Sequence, residues 1–146
     1  MNFELSNSIV PHAPYSVSEK LFKLIAVEAV EKNSIISIHN QESLGESELF
    51  ISHSGAMFEA FSKMGMDMNK IKKTGLNSLQ STLPYLKNVS KILLVHNTYT
   101  TKEDLQWAKK ILNPKSQMLN LFWCTCPNAN MYIENKLPDY DLFIEE

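Results

Sequence analysis

The stretch Ile35-Ile36-Ser37-Ile38-His39-Asn40-Gln41-Glu42 decides the fold. A short run, β-branched and nearly all apolar, gives way at once to a polar, acidic turn. Such unbroken apolar character predicts a strand buried on both faces, as in a parallel sheet. Parallel neighbours need long crossover connections, usually helical. Working outward, the same pattern recurs. Ile92-Leu93-Leu94-Val95 ends at His96, and Met118 to Trp123 forms a further strand candidate. On the other side, Ser8-Ile9-Val10 ends at Pro11-His12.

Helical patterns lie between these runs. Ser16-Val17-Ser18-Glu19 reads as a capping box, with a hydroxyl for the first-turn amides and a glutamate three residues on. The helix after it carries Leu21, Phe22, Ile25, Ala26, Ala29 and Val30 on one stripe and ends near Lys32-Asn33. Asn40 to Glu48 reads as a polar, acidic loop, and 48–68 as broken helix interrupted by Gly55 and Gly65. Lys70-Ile71-Lys72-Lys73 reads as a solvated basic face, and 77–83 as a short helix stopped by Pro84. Thr100-Thr101-Lys102-Glu103 is a second capping box. Its helix turns Leu105, Ala108, Ile111 and Leu112 inward and stops at Asn113-Pro114. Strands alternating with helices make this an α/β chain.

Composition narrows the function. With 146 residues, the length suits a single domain, 1–146, and 44% hydrophobic with 21% charged residues is ordinary for a globular protein. Fourteen Lys+Arg against 16 Asp+Glu leave a net charge of −2, which argues against a nucleic-acid partner. No apolar run approaches the ~18 residues of a membrane span. Met1-Asn2-Phe3-Glu4 lacks the basic start of a signal peptide. Cys124 and Cys126 read as reduced thiols of a cytoplasmic protein.

Three of the four histidines, His12, His39 and His96, stand at the C-terminal ends of successive strand candidates. In a parallel α/β sheet those ends share one face, where ligands and catalytic groups collect. Imidazole binds metals and exchanges protons near neutral pH. Glu42, three residues beyond the second strand, can fold over the same face and take a proton from a metal-activated water. His53 reads as structural or surface, and Glu46 and Glu48 as solvated loop charges near a helix start. There is no glycine-rich phosphate loop, no Gly-x-Ser-x-Gly, and Cys124-x-Cys126 is not a Cys-x-x-Cys motif.

Four blocks resemble the amidohydrolase superfamily, in its branch of chlorohydrolases and nucleoside or nucleobase deaminases. They are Pro11-His12-Ala13-Pro14-Tyr15-Ser16-Val17-Ser18, Ile36-Ser37-Ile38-His39-Asn40-Gln41-Glu42-Ser43, Leu94-Val95-His96-Asn97 and Cys126-Pro127-Asn128-Ala129-Asn130. They run in the family's order with about its spacing and cover nearly the whole chain. The resemblance implies a metal-dependent hydrolase acting on C–N bonds, on a partial (β/α)8 TIM-type barrel. His39 matches a metal ligand. His96 matches a histidine that binds a second metal in some members and orients the attacking hydroxide in others. Glu42 matches the acid/base that shuttles the water proton, and His12 a residue that touches substrate. Asn130 is expected in a loop near the pocket, also on the substrate side. The implied cofactor is a divalent metal, zinc first and iron as the alternative. The implied substrate is a small molecule such as a nucleoside, nucleobase or related heterocycle.

The family's His-x-His after the first strand and Asp after the eighth have no counterpart here. Eight βα units take about 250 residues, and this chain accommodates about four. The expectation is therefore the central part of a barrel, inactive by itself. Two alternatives stand beside it. One is a truncated, non-catalytic relative that self-associates as a homo-oligomer through open sheet edges. The other is a complete small α/β binding domain whose histidines hold a metal or anion.

Overall fold

The computed structural model describes residues 7–112 and 120–145. Three strands, β1 (Ile36–Asn40), β2 (Lys91–His96) and β3 (Asn120–Cys124), form one parallel sheet in the order β1-β2-β3. The register pairs Ile36 with Ile92, Asn40 with His96, Lys91 with Asn120, and Val95 with Cys124. Helix α1 (Glu19–Glu31) precedes β1. The first crossover carries α2 (Leu44–Ser52), α3 (Gly55–Lys63) and α4 (Ser78–Thr82), and the second carries α5 (Lys102–Ile111). Helices α6 (Pro127–Glu134) and α7 (Tyr140–Glu145) follow β3. Among the described residues, no helix is long and apolar enough to cross a membrane.

The two apolar runs become strands because β-branched residues pack well on a pleated surface. Burial alternates, however, instead of being continuous. Ile36, Ile38, Ile92 and Leu94 are buried, while Ser37, His39, Leu93 and Val95 are only partly covered. The buried face meets Phe22, Ile25, Ala26 and Ala29 of α1, together with Leu83, Leu86 and Ala108. Phe22, 1% exposed, stacks on Tyr85 with ring centroids 5.8 Å apart. Burying one such side chain stabilises the fold by roughly 1.5–3 kcal/mol. Leu21 and Val30, expected on the same stripe, lie at its edges and are nearly half exposed.

Several expectations shift. Ser8-Ile9-Val10 is not a strand, so the described residues hold three strands rather than about four βα units. Pro11 has no N–H to give a ladder. The segment is tied to β1 by one bond, from the His39 N–H to the His12 carbonyl at 3.0 Å. The cap of α1 is Ser18, whose Oγ accepts from the Leu21 N–H. Glu19 pairs with Lys23 at 2.6 Å instead of reaching back. The capping box of α5 is Thr101 with Asp104, one residue beyond the expected pair. The acidic loop is half helix: Ser43 caps α2 at Leu44. Pro127 sits in the first turn of α6, where its missing N–H costs nothing, so the segment expected as a loop is helical. The expected helix stop at Asn113-Pro114 and the strand start at Met118 lie outside the described residues.

Candidate metal and acid–base site

His12, in the irregular segment before α1, converges with His39 and His96 at the ends of β1 and β2. The His12 and His39 rings lie 4.7 Å apart and the His39 and His96 rings 5.0 Å, both edge to face. Ser16 Oγ donates to the Ala13 carbonyl, so it accepts from His12 Nδ1–H at 3.0 Å, and His12 Nε2 is left for other partners. Burial, and then the neighbouring His96, push the His39 pKa below its ordinary 6.5. A neutral imidazole is the form that binds metal.

His96 is reached through an unusual turn. It has φ 82° and Asn97 φ 58°, so β2 ends in two successive left-handed residues that are not glycine. Such backbone costs of order 1–3 kcal/mol per residue and persists only where the surroundings hold it. Asn97 does part of that holding. Its Nδ2 donates to the Leu94 and Cys124 carbonyls, both at 2.9 Å, and its Oδ1 accepts from Asn40 Nδ2 at 3.0 Å.

Asn130 sits on helix α6, not in a loop, and is fully buried. Its Nδ2 donates to the His96 carbonyl at 3.2 Å and to Thr98 Oγ1 at 2.9 Å. Its Oδ1 is therefore an acceptor, and His96 Nδ1 must donate to it, at 3.0 Å. This places a proton on Nδ1 and leaves Nε2 turned toward Glu42. That Nε2 stands 3.2 Å from Glu42 Oε1.

His39, Glu42 and His96 each offer one ligand atom within 4.8 Å of the others. Two imidazole nitrogens and a carboxylate oxygen suit zinc and similar divalent ions. His12 stands beside this trio, against His39. A cleft of about 620 Å³ is lined by Tyr15, Ser16, Phe22, Phe50, Met66 and Tyr85 among others, but not by His12, His39, Glu42 or His96. The phenol of Tyr15 is pushed up to about 12, by burial first and then by Glu46 and Glu42.

Two groups escaped the reading of the sequence. Glu46, expected as a solvated charge, is fully buried, and its oxygens accept from the backbone N–H of Gln41 at 3.0 Å and of Glu42 at 3.3 Å. Burial outweighs those bonds and raises its pKa from 4.5 to about 7. Its signal was present as Ser43-x-x-Glu46, a capping-box spacing. The second group is Asp104, also buried, which accepts from Gln41 Nε2 at 3.0 Å and Asn77 Nδ2 at 2.7 Å. Thr100 Oγ1 donates to Gln41 Oε1 at 2.6 Å. Gln41, itself left-handed with φ 46°, is thereby held at both ends of its amide. His53 lies apart. It caps α2, and its Nε2 meets the Ile71 carbonyl at 2.7 Å, which is a structural role. Glu48 is partly buried beside Gly55.

No family model matches the sequence. Adenosine deaminase of Helicobacter pylori (strain ATCC 700392 / 26695) is 29% identical over 138 residues, which is 94% of this chain and 32% of that protein. The crystal structure of Helicobacter pylori aminofutalosine deaminase superposes with a TM-score of 0.78 at 26% identity, covering 99% of this chain and 34% of the other. Its complex with methylthio-coformycin gives 0.74 at 28% identity, covering 94% and 32%. The chain thus spans about a third of the length of these relatives. In sequence and in fold it is homologous, at low identity, to that third of an adenosine or aminofutalosine deaminase.

Proposed function

We propose that residues 1–146 are the central part of an amidohydrolase-type deaminase barrel, a cytoplasmic enzyme that hydrolyses a C–N bond of a nucleoside, nucleobase or related heterocycle. The observation that carries this reading is the convergence of His39, Glu42 and His96 at the C-terminal end of a parallel sheet. The deaminase relatives, one of them bound to methylthio-coformycin, support the substrate class.

The donor set fits a divalent cation, zinc before iron: His39 and His96 would hold it, His96 through Nε2 because Asn130 occupies Nδ1. A cation bound there supplies Lewis acidity, lowering the pKa of a bound water toward neutrality. Glu42 takes the proton from the attacking water and returns it to the substrate's ring nitrogen or leaving amine. Where His96 does not hold the cation, the same Nε2, 3.2 Å from the Glu42 oxygen, would instead orient the nucleophile. His12, braced by Ser16 and set against His39, orients the substrate. Asn130 serves the substrate through His96, whose ring it holds.

Calorimetric titration of the 146-residue chain with zinc tests this. Binding that disappears in His39→Ala and in His96→Ala is expected, with no ammonia released from a nucleoside by the chain alone. Equal zinc affinity in wild type and both variants overturns the reading.

Exposed apolar surface favours a second reading, self-association. Tyr132 is 89% and Ile144 81% exposed at the far end of the chain, and Leu24 and Val27 of α1 are more than half exposed. A sedimentation coefficient that climbs with concentration supports it, and a constant monomer value removes it.

A further inference from the structure

We infer that Glu46 is a positioning residue: its buried carboxylate clamps the Gln41–Glu42 turn and so sets where the Glu42 side chain stands against His96. The argument begins with the cap of α2. Ser43 Oγ accepts from the Glu46 N–H at 3.3 Å, as the hydroxyl of a capping box does. In an ordinary box the glutamate then reaches back to the N–H of the capping residue. Here it overshoots. Its two oxygens take the N–H groups of the two residues before the cap, Gln41 and Glu42.

A glutamate that only caps a helix has no need to leave water. Glu46 has none of its surface exposed, and burying a carboxylate is costly unless it is hydrogen-bonded to donors. Its hydrogen-bond donors are the backbone of the turn that delivers Glu42, with the buried Ser78 hydroxyl beside the carboxylate. Gln41 there adopts φ 46°, a conformation uncommon for a residue that is neither glycine nor asparagine. Thr100 and Asp104 hold the Gln41 side chain from the other direction. With backbone and side chain of Gln41 both fixed, Glu42 leaves the turn in one direction, and its Oε1 arrives 3.2 Å from His96 Nε2. The catalytic meaning of this placement rests on Glu42 acting as the proton carrier; the placement itself does not.

The test uses the whole 146-residue chain. In the wild type, scalar couplings across the hydrogen bonds should link the Gln41 and Glu42 amide nitrogens to the Glu46 carboxyl carbon. Glu46→Gln has the same shape but only one acceptor oxygen, so one amide must lose its bond. The expected result is amide exchange at Gln41 or Glu42 about tenfold faster or more, and loss of the nuclear Overhauser contact between the Glu42 side chain and the His96 ring. The cross-strand amides of Ile38 and Leu94 should keep their protection. Zinc affinity should fall about tenfold or more. Glu48→Gln, in the same helix, should change none of these.

Absent couplings in the wild type overturn the inference. So does a Glu46→Gln chain whose Glu42–His96 contact is intact. So does loss of protection at Ile38 and Leu94, because Glu46 then supports the whole fold rather than the turn. Failure of the wild type to bind zinc sinks the proposed function instead, and the couplings and the Glu42–His96 contact still decide the role of Glu46.

Discussion

Asp104 offers the sharpest test of how the site is supported. Its Oδ1 accepts from Asn77 Nδ2 at 2.7 Å and from Gln80 Nε2 at 3.4 Å. Its Oδ2 accepts from Gln41 Nε2 at 3.0 Å and from the N–H and hydroxyl of Thr101 at 3.2 and 3.3 Å. Both oxygens therefore face donors, and the residue is only 2% exposed. Asp104→Asn keeps the shape but turns an NH2 toward one set. The less costly choice gives up Oδ1, because Asn77 and Gln80 lie nearer to solvent than Gln41. That loses one short charge-assisted bond, about 1.5–3 kcal/mol, and weakens those that remain by removing the charge. The expected destabilisation is about 2–3 kcal/mol, and about 4 kcal/mol for Asp104→Ala, which leaves the buried Gln41 donor without a partner. Urea unfolding followed by circular dichroism measures both. If Asp104→Asn stays within about 0.5 kcal/mol of wild type, the range for an indifferent surface change, the carboxylate does not hold this network.

Other expectations follow from single contacts. In Asn130→Leu, His96 loses the acceptor that fixes its tautomer, so nitrogen NMR should report a mixture of ring forms; an unchanged Nδ1–H signal contradicts the assignment. Tyr99 donates to Glu134 Oε2 at 2.6 Å, and that bond first, with burial second, raises its pKa from 10.0 to about 12. Because the folded value lies above the unfolded one, this contribution to stability is complete below pH 10 and is lost as the pH rises toward 12. Ultraviolet titration of Glu134→Gln should bring the phenol back toward its ordinary value, and no movement refutes the attribution. Phe22→Ala should cost about 3–5 kcal/mol in thermal or urea unfolding, since its ring is buried and stacked on Tyr85.

What could be read in the sequence was local. β1 and β2 announced themselves because their apolar runs are short, branched and cut off by polar residues. The histidines that close them were visible for the same reason. His39, Glu42 and His96 could therefore be brought together on paper, and the structure sets them side by side. The errors have local causes too. Ser16 and Ser18, like Thr100 and Thr101, are neighbouring hydroxyls, and only three-dimensional context chooses between them as caps. Thr100 is drawn inward by Gln41, which leaves Thr101 to start α5. Gly45 and the density of acids disguised the first turn of α2, and with it Glu46. Pro127-Asn128-Ala129-Asn130 has the composition of a loop, yet the proline begins a helix. The contacts of Asp104 with Gln41 and of Asn130 with His96 join residues far apart in the chain. No pattern within one window of sequence can reveal them.

The unequal crossovers bear on the order in which the chain assembles. Among the described residues, Ile36 must find Ile92 across three α-helices, whereas Lys91 meets Asn120 after one. The first closure spans about twice as much chain as the second, which adds about 0.6 kcal/mol of loop entropy to joining β1. Parallel pairing between distant segments is slow for the same reason. β2 and β3 are thus poised to pair early, carrying His96 and its Asn130 clamp with them. His39 and Glu42 arrive on the slower strand. The donor set is completed by the last large closure, so a nascent chain presents half a site, with a single strand-end imidazole in place, until β1 docks.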